Sequence, residues 1–171
     1  PLRRQRQMCI RDRLYIAQCY FYQGKYIDAL SLLEGLLERK EADSIKDAVI
    51  YWIAEVHFKG DDYRQAASNY QRIIKEFPNS DYLADAYYSL GWCLFEEGRY
   101  LEAKDVFLEM VRRFPKRQVS CDASFKIAQC LYNLKDYKQL KEYLSSQIDN
   151  YQGKGINAAY AYFYLAEAEY Y

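Results

Sequence analysis

From Leu14 onward, apolar residues recur at the three-and-four spacing of an amphipathic helix, and the pattern itself returns every 37 residues. The third copy is the fullest. An apolar run from Ala86 to Phe95 leads into Gly98-Arg99-Tyr100, then Ala103, Phe107 and Phe114-Pro115. One column of small residues reads Ala17, Ala54, Gly91, Ala128 and, one step late, Ala166; another reads Tyr26, Tyr63, Tyr100, Tyr137. Each copy predicts two helices and a tight turn. In the third these are Leu83 to Glu97 and Tyr100 to Arg113, with Gly98 between them. Pro78 and Pro115 should stop second helices, because proline cannot continue the hydrogen-bond ladder. Asn79-Ser80-Asp81 then offers caps for the next helix. Gly24 and Gly60-Asp61-Asp62 fill the equivalent turns, since glycine accepts a left-handed backbone without a steric penalty. The fourth turn, Asn133 to Asp136, has no glycine and should be the least comfortable.

Self-similarity at this period predicts a solenoid, in which a unit buries its apolar face only by stacking on its neighbours. The expected fold is all-α: a right-handed superhelical solenoid of antiparallel helix pairs. Its units are about 14–43, 44–80, 81–117, 118–154 and a fifth from 155. The small columns, Ala17 to Ala128 on first helices and Ala29, Ala66 and Ala103 on second helices, let paired helices approach. Leu140 breaks the second column and should widen or reorient the fourth pair. Composition agrees, with 7 Gly and 3 Pro against 20 Tyr. No apolar run approaches the roughly 18 residues of a membrane-spanning helix.

Charge changes the picture only at the N-terminus. Arg3 to Arg13 reads as a basic arm, yet the run also resembles the in-frame translation of a transposon-type sequencing-library adaptor. On that reading residues 1–13 are non-native and lie outside the fold. Without the five arginines and one aspartate of residues 3–13, the formal charge falls from 0 to −4. The native N-terminus is then missing, and the helix running into Tyr171 suggests truncation there too.

At these columns the chain resembles the tetratricopeptide repeat: Leu90-Gly91, Gly98-x-Tyr100, Ala103, Phe107 and Pro115 follow that family's pattern, and the resemblance covers Leu14 to Tyr171. The long period and the Phe77-Pro78-Asn79-Ser80 linker are similar to the bacterial cell-envelope branch. That branch includes the Tol-Pal-associated coordinator and the outer-membrane assembly lipoprotein. The resemblance implies a periplasmic or envelope location, with the cytoplasm as alternative. It also implies that first helices line a concave face. Aromatic columns fall there: Leu14, Tyr51, Tyr88, Phe125 and Phe163, and seven residues on Phe21, Phe58, Phe95, Tyr132 and Tyr170. Between them run Gln18, Glu55, Trp92, Gln129 and Glu167. The candidate peptide-binding residues are Tyr51, Glu55, Phe58, Tyr88, Trp92, Phe95, Phe125, Gln129 and Tyr132. Aromatic anchors of this kind make binding hot spots. Glu55, Asp85, Asp122 and Glu167, with Lys59 and Lys126 as exceptions, oppose a carboxylate clamp and suit an apolar or basic peptide.

Other chemistry lacks residues to perform it. Of five cysteines, Cys9 lies in the adaptor-like run, and Cys19, Cys93 and Cys130 share a column with Val56 and Ala168 that reads as buried packing. Helix axes about 8–10 Å apart make a bridge between neighbours hard to form. Without CxxC spacing no metal site is expected. His57 is the single histidine and shares its column with Tyr20, Leu94 and Leu131, a wall position. No catalytic set, cofactor loop or basic track for nucleic acid is present. The expected function is therefore a non-enzymatic scaffold for a protein or peptide partner. The alternatives are a structural spacer or a non-catalytic domain of a larger enzyme.

Overall fold

The computed structural model describes the backbone of residues 2–151 and 156–170, and the side chains of residues 10–147, 162–168 and 170. The described residues form α1 (Leu2–Tyr22), α2 (Tyr26–Leu37), α3 (Lys46–Lys59), α4 (Tyr63–Glu76), α5 (Leu83–Glu96), α6 (Tyr100–Arg113), α7 (Val119–Asn133), α8 (Tyr137–Tyr151) and α9 (Ile156–Tyr170). All are helical, and none is long and apolar enough to cross a membrane. A short 3₁₀ helix, Lys40–Ile45, was not foreseen. It tucks Ala42 and Ile45 into the core between α2 and α3, where the linker has no proline to hold it extended. The helix α1 runs through the adaptor-like segment without a break, and Ile10 is buried beside Leu14 and Phe21. The chain divides into two compact units, Pro1–Cys93 and Leu94–Tyr171, with the division inside α5.

Four helix pairs close in the same way. A residue with positive φ follows each first helix: Gly24 (74°), Asp61 (58°), Gly98 (75°) and Lys135 (57°). Its N–H donates back to the carbonyl of Phe21, Phe58, Phe95 or Tyr132, at 2.9, 3.2, 3.0 and 3.0 Å. The next residue donates to Tyr20, His57, Leu94 or Leu131, at 2.9, 3.0, 2.9 and 3.1 Å. This double bond satisfies the orphan carbonyls of a helix end and needs the left-handed backbone to form. In the second turn the left-handed residue is thus Asp61, while Gly60 has φ −88°. The two turns whose left-handed residue is not glycine are compensated one residue later. Asp62 and Asp136 cap the following helices by accepting from the N–H groups of Gln65 (3.2 Å) and Gln139 (3.0 Å). The glycine turns are followed by Lys25 and Arg99, which make no such cap.

The tyrosine that opens each second helix also meets the last aromatic of the first. Phe21–Tyr26, Phe58–Tyr63, Phe95–Tyr100 and Tyr132–Tyr137 pack edge-to-face at 5.6, 5.6, 5.2 and 6.2 Å between ring centres. Pairs of this geometry contribute about 0.5–1.5 kcal/mol beyond area burial. They hold the two helices in register across the turn. Pro78 and Pro115 follow the ends of α4 and α6 as expected.

Burial separates two columns that look alike in sequence. Ala17, Ala54 and Ala128 are fully enclosed, but Ala166 is exposed. Val56, Cys93, Cys130 and Ala168 are buried, but Cys19 is exposed, which corrects its assignment to packing. Helix α3 packs on both α2 and α4, and α7 on both α6 and α8. In the structure α1 is followed by α2 but has no helix before it, and α9 follows α8 with no second helix after it. Leu140 is fully buried where Ala29, Ala66 and Ala103 stand in other pairs.

Gly98→Ala should cost about 1 kcal/mol, because a Cβ there meets no atom within 4 Å and the penalty is the left-handed backbone alone. Lys135→Gly should gain a similar amount. Urea unfolding measures both; a loss above ~3 kcal/mol for Gly98→Ala would mean a packing role instead. Among the cysteines with described side chains, Cys19 and Cys121 should react with a thiol reagent in the native state. Cys93 and Cys130 should stay protected until unfolding, with the Cys130 thiol pushed up to about 12 by burial.

Candidate functional site

In the first unit, α3 carries Tyr51, Glu55 and Phe58, and the part of α5 in that unit carries Tyr88 and Trp92. All five are half-buried. Glu55 is held from inside: the hydroxyl of fully buried Tyr70 on α4 donates to it at 2.7 Å. Burial and the adjacent Glu55 carboxylate raise the phenols of Tyr70 and Tyr51 far above their usual range, and Asp85 adds to the effect on Tyr51. The ring of Tyr51 is stacked on Tyr82 at 4.6 Å and 25°. Tyr82, missed in sequence reading, is placed by the linker. Ser80 Oγ donates to Asp47 Oδ2 at 2.6 Å and accepts from the Tyr82 N–H at 3.1 Å, pinning the segment after Pro78 onto α3. The Asn79-Ser80-Asp81 cap signal pointed at this segment but not at its contact with Asp47. Tyr88 and Trp92 meet edge-on at 5.8 Å. Phe58 is engaged with Tyr63 in the turn clasp.

In the second unit the residues are Phe95 on α5 and Phe125, Gln129 and Tyr132 on α7. Phe125 is 8% exposed, so it supports the face from beneath and offers no surface. Tyr164 of α9 covers it, with ring centres 6.0 Å from Phe125 and 4.9 Å from Tyr132. Phe163, which shares the sequence column of Tyr51, Tyr88 and Phe125, is exposed on α9. The ammonium of Lys126 sits 4.5 Å over the Phe95 ring, and partial burial lowers its pKa against the pull of Glu96. Lys126, one of the two cations expected among the acidic residues, thus has its place over this ring. Gln129 Oε1 is buried without a hydrogen-bond partner. On the side formed by α6, α7 and α8, a cleft of about 500 Å³ is lined by Leu108, Val111, Ile127 and Tyr143, with Asp105 and Glu109 among its polar residues. The phenol of Tyr143 is pushed up to about 12 by burial.

His57 is half-buried with Nδ1 3.7 Å from Asp62 Oδ2, next to the turn it helps close. Among the described residues no group of His, Cys, Asp or Glu could hold a metal ion.

Tetratricopeptide-repeat family models match residues 51–117 and 122–153, together more than half of the chain. The chain belongs to the tetratricopeptide-repeat family. Solved structures share the fold at low identity. A tetratricopeptide repeat protein from Parabacteroides merdae is 11% identical with a TM-score of 0.78, over 94% of this chain and 60% of that one. MamA from Desulfovibrio magneticus is 17% identical with a TM-score of 0.67, over 94% and 93%. YrrB, described as a TPR protein with an unusual peptide-binding site, is 18% identical with a TM-score of 0.64, over 91% and 82%. No curated protein matches the chain.

In this tetratricopeptide-repeat chain Tyr70→Phe removes the buried bond to Glu55, together with the interaction of Ser89 with the same phenol. A hydrogen bond to a charged group contributes about 1.5–3 kcal/mol, and the variant should lose stability of that order in urea unfolding at neutral pH. The tyrosine has a raised folded-state pKa, so the unfolded chain loses the proton first. Stability is then full below about pH 10 and falls as pH rises above it. Tyr70→Phe should flatten that alkaline fall; an unchanged slope would remove Tyr70 as its source.

Proposed function

We propose that the chain is a protein-interaction scaffold that holds a peptide or helix of its partner on the aromatic face of its first helices. The observation that carries this reading is the Tyr88–Trp92 pair. Its rings are set edge-on and left half-exposed on α5, while the residues around them, Leu90, Gly91 and Cys93, are buried. Half-exposed, pre-positioned aromatics suit partner contact at low entropic cost. Two further points support it: repeat proteins of this kind use extended surfaces for binding, and YrrB is a peptide-binding relative in fold. Tyr51 and Phe58 belong to the reading as the frame around that pair, and Glu55 and Asp85 give it a preference for apolar or basic segments. The other candidates, Phe95 on α5 and Phe125, Gln129 and Tyr132 on α7, belong to the same reading in the second unit, where Lys126 lies over the Phe95 ring. An envelope location rests on the 37-residue period and the Phe77-Pro78-Asn79-Ser80 linker and stays part of the proposal.

A panel of amidated twelve-residue peptides, apolar, basic and acidic, provides the test, read by fluorescence anisotropy. Apolar and basic peptides should bind and acidic ones should not. Trp92→Ala should abolish binding with the melting temperature nearly unchanged. If Trp92→Ala instead costs ~3–5 kcal/mol of stability, as a core truncation does, Trp92 is packing and the reading falls.

A further inference from the structure

Glu55 is a half-buried carboxylate held by phenols and by no cation. The hydroxyl of the fully buried Tyr70 donates to its Oε1 at 2.7 Å, and the Tyr51 phenol lies within hydrogen-bonding reach of the same group. None of the ion pairs among the described residues includes Glu55, and Lys59, one turn further along α3, is exposed and not paired with it. Neutral donors orient a carboxylate drawn part-way out of water but leave its charge uncompensated. Beside it the half-buried rings of Tyr51 and Tyr82 stack at 4.6 Å and 25°. Tyr82 lies in the segment between α4 and α5, so its place depends on the tie from Ser80 Oγ to Asp47 Oδ2 at 2.6 Å. These parts coincide in the second copy alone. By the 37-residue step Glu55 is replaced by Gln18, Trp92 and Gln129, Tyr82 by Ile45 and Val119, and Ser80 by Asp43 and Arg117. General packing of the repeat therefore does not account for them.

We infer that Glu55 and the Tyr51–Tyr82 stack form a subsite for an arginine side chain of the partner, with Ser80 as its positioning residue. The inference rests on the reading of the first-helix face as the partner-binding surface. A guanidinium has the two surfaces this place matches: a plane that lies on aromatic rings and a fork of N–H donors for a carboxylate. A carboxylate has about four acceptor sites, so the two phenols leave Glu55 room for that fork. Asp85 on α5 is near enough to the Tyr51 phenol to raise it, and adds negative potential at the same ring. Lysine brings the charge without the plane and is the weaker ligand. Ser80 touches none of the partner. It acts by fixing the segment that carries Tyr82, through Asp47 on one side and the Tyr82 N–H at 3.1 Å on the other.

Acetyl-arginine amide, titrated into the chain and followed by NMR, should shift the ring signals of Tyr51 and Tyr82 with an affinity in the millimolar class. Acetyl-citrulline amide, the same shape without the charge, should bind about tenfold more weakly, a difference of 1.4 kcal/mol. Glu55→Gln keeps the size and an acceptor for Tyr70, and should remove that preference. Ser80→Ala should shrink it and Ser80→Thr restore it, whereas a purely structural tie would change the melting temperature and leave the ratio alone. A ratio near one, shifts confined to other tyrosines, or a preference that survives Glu55→Gln overturns the subsite, whether or not peptides bind. A ratio untouched by Ser80→Ala removes Ser80 from it. An arginine preference found while every peptide of the panel fails keeps the subsite and overturns the scaffold reading instead.

Discussion

Each helix pair depends on one backbone residue held in the left-handed conformation. That residue reverses the chain between two helices while satisfying the carbonyls of the first, and the following residue is already the start of the second. Two chemical solutions serve the same geometry. Gly24 and Gly98 adopt it freely and are followed by uncapped helices. Asp61 and Lys135 adopt it at a cost of about 1–2 kcal/mol, offset by the Asp62 and Asp136 caps of about 1 kcal/mol each. The edge-to-face aromatic pair across every turn then fixes how the two helices face one another.

Closure of the pairs determines which columns are buried and by what. Ala54 and Val56 on α3, and Ala128 and Cys130 on α7, are all buried where the first helix packs on a second helix on either side. On α1 Ala17 is buried and Cys19 exposed, while on α9 Ala168 is buried and Ala166 exposed. Two positions in a first helix, only two residues apart, therefore answer to different neighbours.

The aromatic columns divide into packed rings and half-exposed ones. Tyr51 is stacked under Tyr82 and beside Glu55, Phe58 belongs to a turn clasp, and Phe125 lies beneath Tyr164. Those rings set the shape of the face more than its surface. Tyr88 and Trp92 are buttressed by each other and stay half-exposed. On the proposed reading, a surface framed by packed aromatics is rigid before any partner arrives, which lowers the ordering cost of binding.

The sequence alone determined the all-helical repeat, its period and its helix boundaries to within a residue, as at Leu83–Glu96 and Tyr100–Arg113. These follow from local rules: three-and-four apolar spacing, proline stops, and small residues where helices meet. It also marked the aromatic columns. Only the tertiary structure decided that Asp61 and not Gly60 takes the left-handed backbone. The same holds for Tyr82 covering Tyr51, Lys126 sitting over Phe95, Tyr164 covering Phe125, and Cys19 standing in the open. Each of these depends on what a neighbouring element supplies. A side chain's column is a property of its own helix, but its burial and its partner belong to the helix beside it.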